Sequence, residues 1–193
     1  MKPQAFDCCG PLAEPGFLLT GHFVCISGLH TDRWIHKDRW FTDPRKLDAL
    51  GEQLADKIRS AGLRPELLCG PATGGLLVGH AAARPLGCPV VFTEGEQRQQ
   101  RLRRGYDRMV RGRRVVLVDD IANTGLTLRT AWQALSEAGA IIEGVAVLIQ
   151  RGVVFGPWGR LLSLQDVELR SWTAEECPLC RQGEPVDASY GHG

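Results

Sequence analysis

The segment Val115-Val116-Leu117-Val118-Asp119-Asp120-Ile121-Ala122-Asn123-Thr124-Gly125-Leu126-Thr127 constrains the fold more than any other stretch. Its four apolar, mostly β-branched residues predict a strand buried on both faces, as in a parallel sheet covered by helices. Two carboxylates stand at the carboxyl end of that strand. A turn of small residues follows, and a helix begins at Leu126. In open parallel sheets, ligands sit at the carboxyl ends of the strands. The turn presents backbone N–H groups, and a helix start is a natural anion site. Ala122, Asn123, Thr124, Gly125, Leu126 and Thr127 therefore make a candidate phosphate cradle, in which Thr124 and Thr127 add hydroxyl donors. Asp119 and Asp120 would repel a phosphate beside them, so they suit ribose hydroxyls or a cationic centre on the same ligand. A sugar phosphate meets both demands. The plainer alternative is a strand-to-helix turn in which one Asp caps the helix. No Gly-Lys-Thr/Ser follows, so the string is not the Walker phosphate loop.

The rest of the chain fits an alternation of strands and helices. Residues 1 to 21 read as loop or weak helix, broken by Pro3, Pro11, Pro15 and Gly16. Phe23 to Ile26 and a strand beginning at Trp34-Ile35 predict a small hairpin-like hood. Thr42 or Asp43 caps a helix with Pro44 in its first turn; Leu47, Leu50, Leu54 and Ile58 recur at helical spacing until Gly62. Strands are expected at 66–69, 89–92, 115–118 and 141–149, with helices from Gly75 to about Pro85 and from Leu126 to Ala138. Residues 94–113 are polar and Arg-rich without apolar period, and are expected to be a long flexible loop. The fold class is α/β: a mainly parallel sheet flanked by helices. A single domain is expected, with a hood at about 17–41, a core at about 42–165 and a tail at about 166–193.

A second loop, Gly70-Pro71-Ala72-Thr73-Gly74-Gly75, follows the first of these core strands. Its backbone can approach a diphosphate closely, and the helix behind it points its positive end there. Composition excludes some classes. The formal net charge of +1 lacks the basic excess of a nucleic-acid binder. No apolar run is long enough to span a bilayer, and Met1 to Gly10 has no signal-peptide core. Seven cysteines, an odd number, argue against a disulfide framework and for a reducing cytoplasm. Cys177-x-x-Cys180 supplies half of a structural zinc site, but the other five cysteines offer no matching pair and Cys8-Cys9 is a poor complement. No protein-held metal is therefore expected.

The string from Val115 to Thr127 closely resembles the phosphoribosyl-pyrophosphate motif of type I phosphoribosyltransferases. Further segments resemble the orotate phosphoribosyltransferase family: Gly21-His22-Phe23 through Ser27-Gly28 to Lys37, the loop Gly70 to Gly75, Leu102-Arg103-Arg104-Gly105-Tyr106, and Glu176-Cys177-Pro178-Leu179-Cys180. The likeness runs in order from about residue 17 to 186. It implies the type I phosphoribosyltransferase fold with an N-terminal hood, a homodimer whose flexible loops reach over the partner's site, and transfer of ribose 5-phosphate from phosphoribosyl pyrophosphate to orotate. It also implies Mg²⁺ arriving with the sugar diphosphate. Where many members carry Lys and His in the loop, this chain has Arg98, Arg101, Arg103 and Arg104. Ile26 stands before Ser-Gly, where many have Lys, and Gln150-Arg151 replaces Asp-Arg.

On this resemblance, Arg103 and Arg104 act in catalysis beside Asp119 and Asp120, and Arg101 binds substrate. Ala72, Thr73, Gly74 and Gly75 hold the diphosphate. Arg151, with Lys37 as a second candidate, meets the orotate carboxylate. His22 and His30 are read as structural, because the mechanism needs no general base. Two other readings stay open: an enzyme of this fold acting on another base, and a non-catalytic sensor of phosphoribosyl pyrophosphate.

Overall fold

The computed structural model describes residues 11, 15–25, 27–152, 156–158 and 161–190. Ile26 and Cys8-Cys9 lie outside them. The chain divides into two compact units, Met1–Arg39 with Val167–Gly193, and Trp40–Asp166.

In the first unit, β1 (Leu18–Val24) and β2 (His30–Ile35) form an antiparallel hairpin, with Leu18 opposite Ile35 and Val24 opposite His30. The hairpin is the expected one, but its strands begin earlier. Leu18 to Gly21, read as loop, belong to β1, and Trp34-Ile35 close the second strand instead of opening it. The register shifts between Thr20 and Phe23. Such an irregularity breaks the two-residue alternation by which a strand is recognised. A short helix, α1 (Asp38–Phe41), follows.

The second unit opens with α2 (Pro44–Ser60), where the periodicity predicts it. The Asp43 carboxylate accepts from the Arg45 N–H at 3.1 Å, and Pro44 lies in the first turn. Leu50, Leu54, Ala55 and Ile58 are buried, and Gly62 takes a left-handed φ of 79° just past the end. Then come β3 (Leu67–Pro71), α3 (Gly74–Leu86), β4 (Val90–Glu96), β5 (Gln99–Leu102), α4 (Tyr106–Val110), β6 (Arg114–Ala122), α5 (Leu126–Glu137), β7 (Ile141–Arg151) and β8 (Leu161–Val167). The sheet order is β5-β4-β3-β6-β7-β8. Neighbours from β4 through β3 and β6 to β7 are parallel, while β5 is antiparallel to β4.

Central strands are buried on both faces, which explains their unbroken apolar runs. Leu67, Cys69, Val115, Leu117, Val145 and Val147 share one core with Leu128, Ala131 and Leu135 of α5. The alternate residue Val118 faces α3, where a Cβ built at Gly79 would lie 3.1 Å from its Cγ2. Helix α2 packs on α3 so closely that a Cβ at Gly51 would overlap the Ala81 backbone.

Two expectations need correction. Residues 94–113 are not a long loop: they contain the end of β4, all of β5 and α4. Edge pairing is satisfied here by polar groups, so no apolar period announces it. The Gln100 amide donates to the Gly95 and Glu96 carbonyls at 2.9 and 3.0 Å, and the Thr93 hydroxyl donates to Gln100 Oε1 at 2.6 Å. Strand β8 was not expected at all; Ser163, Gln165 and Asp166 dilute its apolar pattern.

The first unit is completed by α6 (Pro178–Arg181) and a bridge between His30 and Trp172. The His30 N–H donates to the Trp172 carbonyl at 2.8 Å and the Trp172 N–H returns to His30 at 2.9 Å.

Candidate active site

The two loops singled out by sequence meet at the carboxyl ends of adjacent strands β3 and β6. Asp119 and Asp120 are 8% and 4% exposed, so both carboxylates sit within the protein. Asp119 Oδ1 accepts from the Asp120 N–H at 2.9 Å, and Asp120 Oδ1 from the Ile121 N–H at 2.6 Å.

The glycines of the first loop are there because those carboxylates are. A Cβ at Gly74 would overlap the Asp120 carboxylate, and one at Gly75 would come within 3.0 Å of Asp119 Oδ1. A Cβ at Gly70 would overlap the Gly75 carbonyl. Only glycine permits this approach of backbone to side chain. The Ala72–Thr73 peptide is cis, and Ala72 and Thr73 are exposed at the start of α3. The Ala72 N–H donates to the Thr93 carbonyl at 2.9 Å, which anchors the loop to β4.

The second loop has the expected cradle form. Gly125 adopts a left-handed φ of 71° directly before α5 and, as the cap residue, supplies no side-chain hydrogen bond to it. Asn123 and Thr124 are exposed, while Leu126 and Thr127 are half-buried. The Leu126 N–H reaches Thr124 Oγ1 at 3.4 Å. Sequence reading missed Arg129, whose Nη1 donates to the Thr124 carbonyl at 2.9 Å. That bond stiffens the turn and sets a guanidinium beside it. Its signal was a cation in the first turns of a helix, where dipole complementarity alone prefers an acid.

The arginine segment borders this helix. The Thr130 hydroxyl of α5 donates to the Gln97 carbonyl at the tip of the β4–β5 hairpin, at 2.8 Å. Arg104 holds a left-handed φ of 59° and pairs with Glu94 at 2.7 Å, its guanidinium lying 5.4 Å from the Phe92 ring centre. The hydrogen bond from Arg104 lowers the Glu94 carboxyl below its ordinary value. Arg101 and Arg103 are exposed. Arg151 ends β7, one residue beyond Gln150, which lies opposite Ala122 of β6, so it stands at the same sheet edge as the cradle. Lys37 belongs to the first unit, where its N–H donates to the Ile35 carbonyl at 2.9 Å.

Buried carboxylates, two backbone loops and a fringe of arginines can bind a hydroxylated, polyanionic ligand. Comparison with known proteins agrees. Residues 40–158 match the phosphoribosyl transferase domain family. An orotate phosphoribosyltransferase of Nitratiruptor sp. is 33% identical over 188 residues, covering 90% of this chain and 93% of the relative. One from Heliobacterium modesticaldum is 37% identical over 174 residues, covering 88% of each. The crystal structure of orotate phosphoribosyltransferase from Aeropyrum pernix superposes with a TM-score of 0.59 at 25% identity, over 78% of this chain and 89% of that one.

Proposed function

The chain belongs to the phosphoribosyl transferase family, among its orotate phosphoribosyltransferases, and we propose that it moves ribose 5-phosphate from phosphoribosyl pyrophosphate to a ring nitrogen of orotate. The observation that supports the reading is the seating of Gly74 and Gly75 against the Asp119-Asp120 pair, which brings the glycine loop and the acidic pair together at one sheet edge.

In the reaction, the bond from the anomeric carbon to diphosphate breaks, a carbon–nitrogen bond to the base forms, and the ring nitrogen gives up its proton to diphosphate or solvent. Positive charge develops on the ribose ring and negative charge on the leaving group. Asp119 and Asp120 accept from the ribose hydroxyls and face the developing cation. The 122–127 turn holds the 5′-phosphate through its N–H groups and the Thr124 and Thr127 hydroxyls. Residues 72–75 and the start of α3 hold the diphosphate. Arg101, Arg103 and Arg104 close over it and stabilise its growing charge. Arg151 pairs with the orotate carboxylate.

Asp119 and Asp120 are oxygen donors of the kind that would suit a Mg²⁺ arriving with the diphosphate, where it would supply charge neutralisation. A homodimer in which each arginine hairpin serves the partner's site, working in a reducing cytoplasm, completes the reading. The exposure of Arg101 and Arg103 and the odd number of cysteines support it.

Diphosphate release measured with phosphoribosyl pyrophosphate and a panel of bases tests the proposal. Release dependent on orotate, and absent with adenine, guanine or uracil, is expected. Release with a purine alone would transfer the chain to another base, and none with any base would leave only a sensor.

A further inference from the structure

Within the first unit, two histidines of the hairpin converge on the Cys-x-x-Cys of the tail. His22, His30, Cys177 and Cys180 each offer one ligand atom, and those atoms lie within 4.8 Å of one another. His22 Nε2 is 2.8 Å from His30 Nδ1 and 3.6 Å from both the Cys177 and Cys180 sulfurs. Cys180 Sγ is 3.4 Å from His30 Nδ1. We propose that these four residues form a structural zinc(II) site that fastens the C-terminal tail to the N-terminal hairpin.

The hydrogen bonds fix where the lone pairs point. His22 Nδ1 lies 2.8 Å from the Glu184 carbonyl, which only accepts, so the ring proton is on Nδ1 and Nε2 carries a lone pair. That single lone pair faces three polar atoms at once. One hydrogen bond satisfies one of them, whereas a cation at the centre serves all four ligands. A histidine whose far nitrogen donates to a carbonyl is the usual arrangement of a metal-binding imidazole. Zn–N near 2.0 Å and Zn–S near 2.3 Å place tetrahedral N···S pairs at about 3.5 Å and N···N pairs at about 3.3 Å. These three sulfur–nitrogen distances already match, the histidine pair needs to open by about half an ångström, and the remaining pairs lie within 4.8 Å.

The backbone holds this arrangement in place. His30 is bridged to Trp172, and the Asp187 N–H donates to the His22 carbonyl at 2.8 Å. Cys177 precedes α6 with Pro178 in its first turn, and the Gly183 N–H returns to the Cys180 carbonyl at 3.0 Å. His22 and Cys177 are 3% and 0% exposed, while Cys180 is exposed and leaves an entry path. Two nitrogens and two thiolates are a borderline-soft set that suits zinc better than Mg²⁺ or Ca²⁺. On binding, both thiols lose their protons to solvent and both imidazoles stay neutral, so no electrons move. The role is structural: four protein ligands leave no open position for substrate. A two-stranded hairpin is marginal by itself, and such small modules are commonly stapled by a metal.

The full chain, purified without chelator, tests this by elemental analysis and by Co²⁺ substitution. About one zinc per chain is expected, with tetrahedral Co²⁺ bands and a thiolate-to-cobalt charge-transfer band. Cys180→Ser, at an exposed position, is expected to lose most of the zinc and shift both spectra while circular dichroism is retained. Cys88→Ser, in the other unit, is expected to keep them. A chain that carries no zinc and gives no cobalt spectrum, or a Cys180→Ser variant that binds both metals as before, overturns the site.

Discussion

At the scale of single residues, the glycines of the first loop make room for the carboxylates at the end of β6. Gly74→Ala must displace the Asp120 carboxylate, because the new Cβ and that group cannot share the space. Misplacing a reacting constellation by an ångström costs about 10²-fold. The variant is expected to fold normally yet lose at least about tenfold in kcat/KM for phosphoribosyl pyrophosphate, read by diphosphate release. Gly87→Ala, whose left-handed φ of 70° strains a side chain but which meets no neighbouring group, controls for backbone destabilisation without displacement of a carboxylate. Burial also marks Cys69, whose thiol is pushed up to about 12. It is therefore protonated and unreactive at neutral pH. Iodoacetamide at pH 8 should label Cys180 in metal-free protein and leave Cys69 unmodified until the chain is unfolded, as peptide mass spectrometry would reveal.

At the scale of elements, legibility followed burial. Strands β3, β6 and β7 were readable because both faces are covered and apolar residues run unbroken; α2 was readable from its cap, its period and its stop. The turn between β6 and α5 was readable because small residues and carboxylates have few other reasons to stand between a buried strand and a helix. Strand β5 was hidden because Gln99, Gln100 and Arg101 pair through polar groups, and β8 because polar residues interrupt it. The His22–His30–Cys177–Cys180 cluster was invisible to spacing, since its halves lie at opposite ends of the chain.

The hairpin bearing the arginines makes its own predictions. Arg104→Ala is expected to cost on the order of 10²-fold in turnover, the usual loss of a transition-state donor. A rate near that of the parent would remove the hairpin from the chemistry. The Glu94–Arg104 pair holds the Glu94 carboxyl below its ordinary value, so the pair persists above the usual carboxylate range and is lost as pH falls through the depressed value. Arg104 is exposed and Glu94 half-buried at the protein surface, so solvent screens the pair and the effect on global stability is small. An NMR titration should place the Glu94 midpoint below that of a free Glu, and Arg104→Ala should move it upward.

At the scale of the whole molecule, a mainly parallel sheet gathers the acidic pair and both loops at its carboxyl edge, and the smaller unit carries its own polar cluster. If the hairpin serves a partner's site, mixing inactive Arg104→Ala and Asp120→Asn chains should restore activity, because about a quarter of the sites in a random mixture of C2 dimers would contain both native groups. No recovery would assign the hairpin to its own chain. The central claim is that the Asp119-Asp120 pair and the two loops beside it bind the sugar diphosphate. Calorimetric titration of phosphoribosyl pyrophosphate with Mg²⁺ into the native protein and into an Asp119→Asn/Asp120→Asn variant of unchanged circular dichroism tests it directly. Saturable binding, weakened at least about tenfold by the substitutions, is the predicted result; equal affinity in both proteins would contradict it.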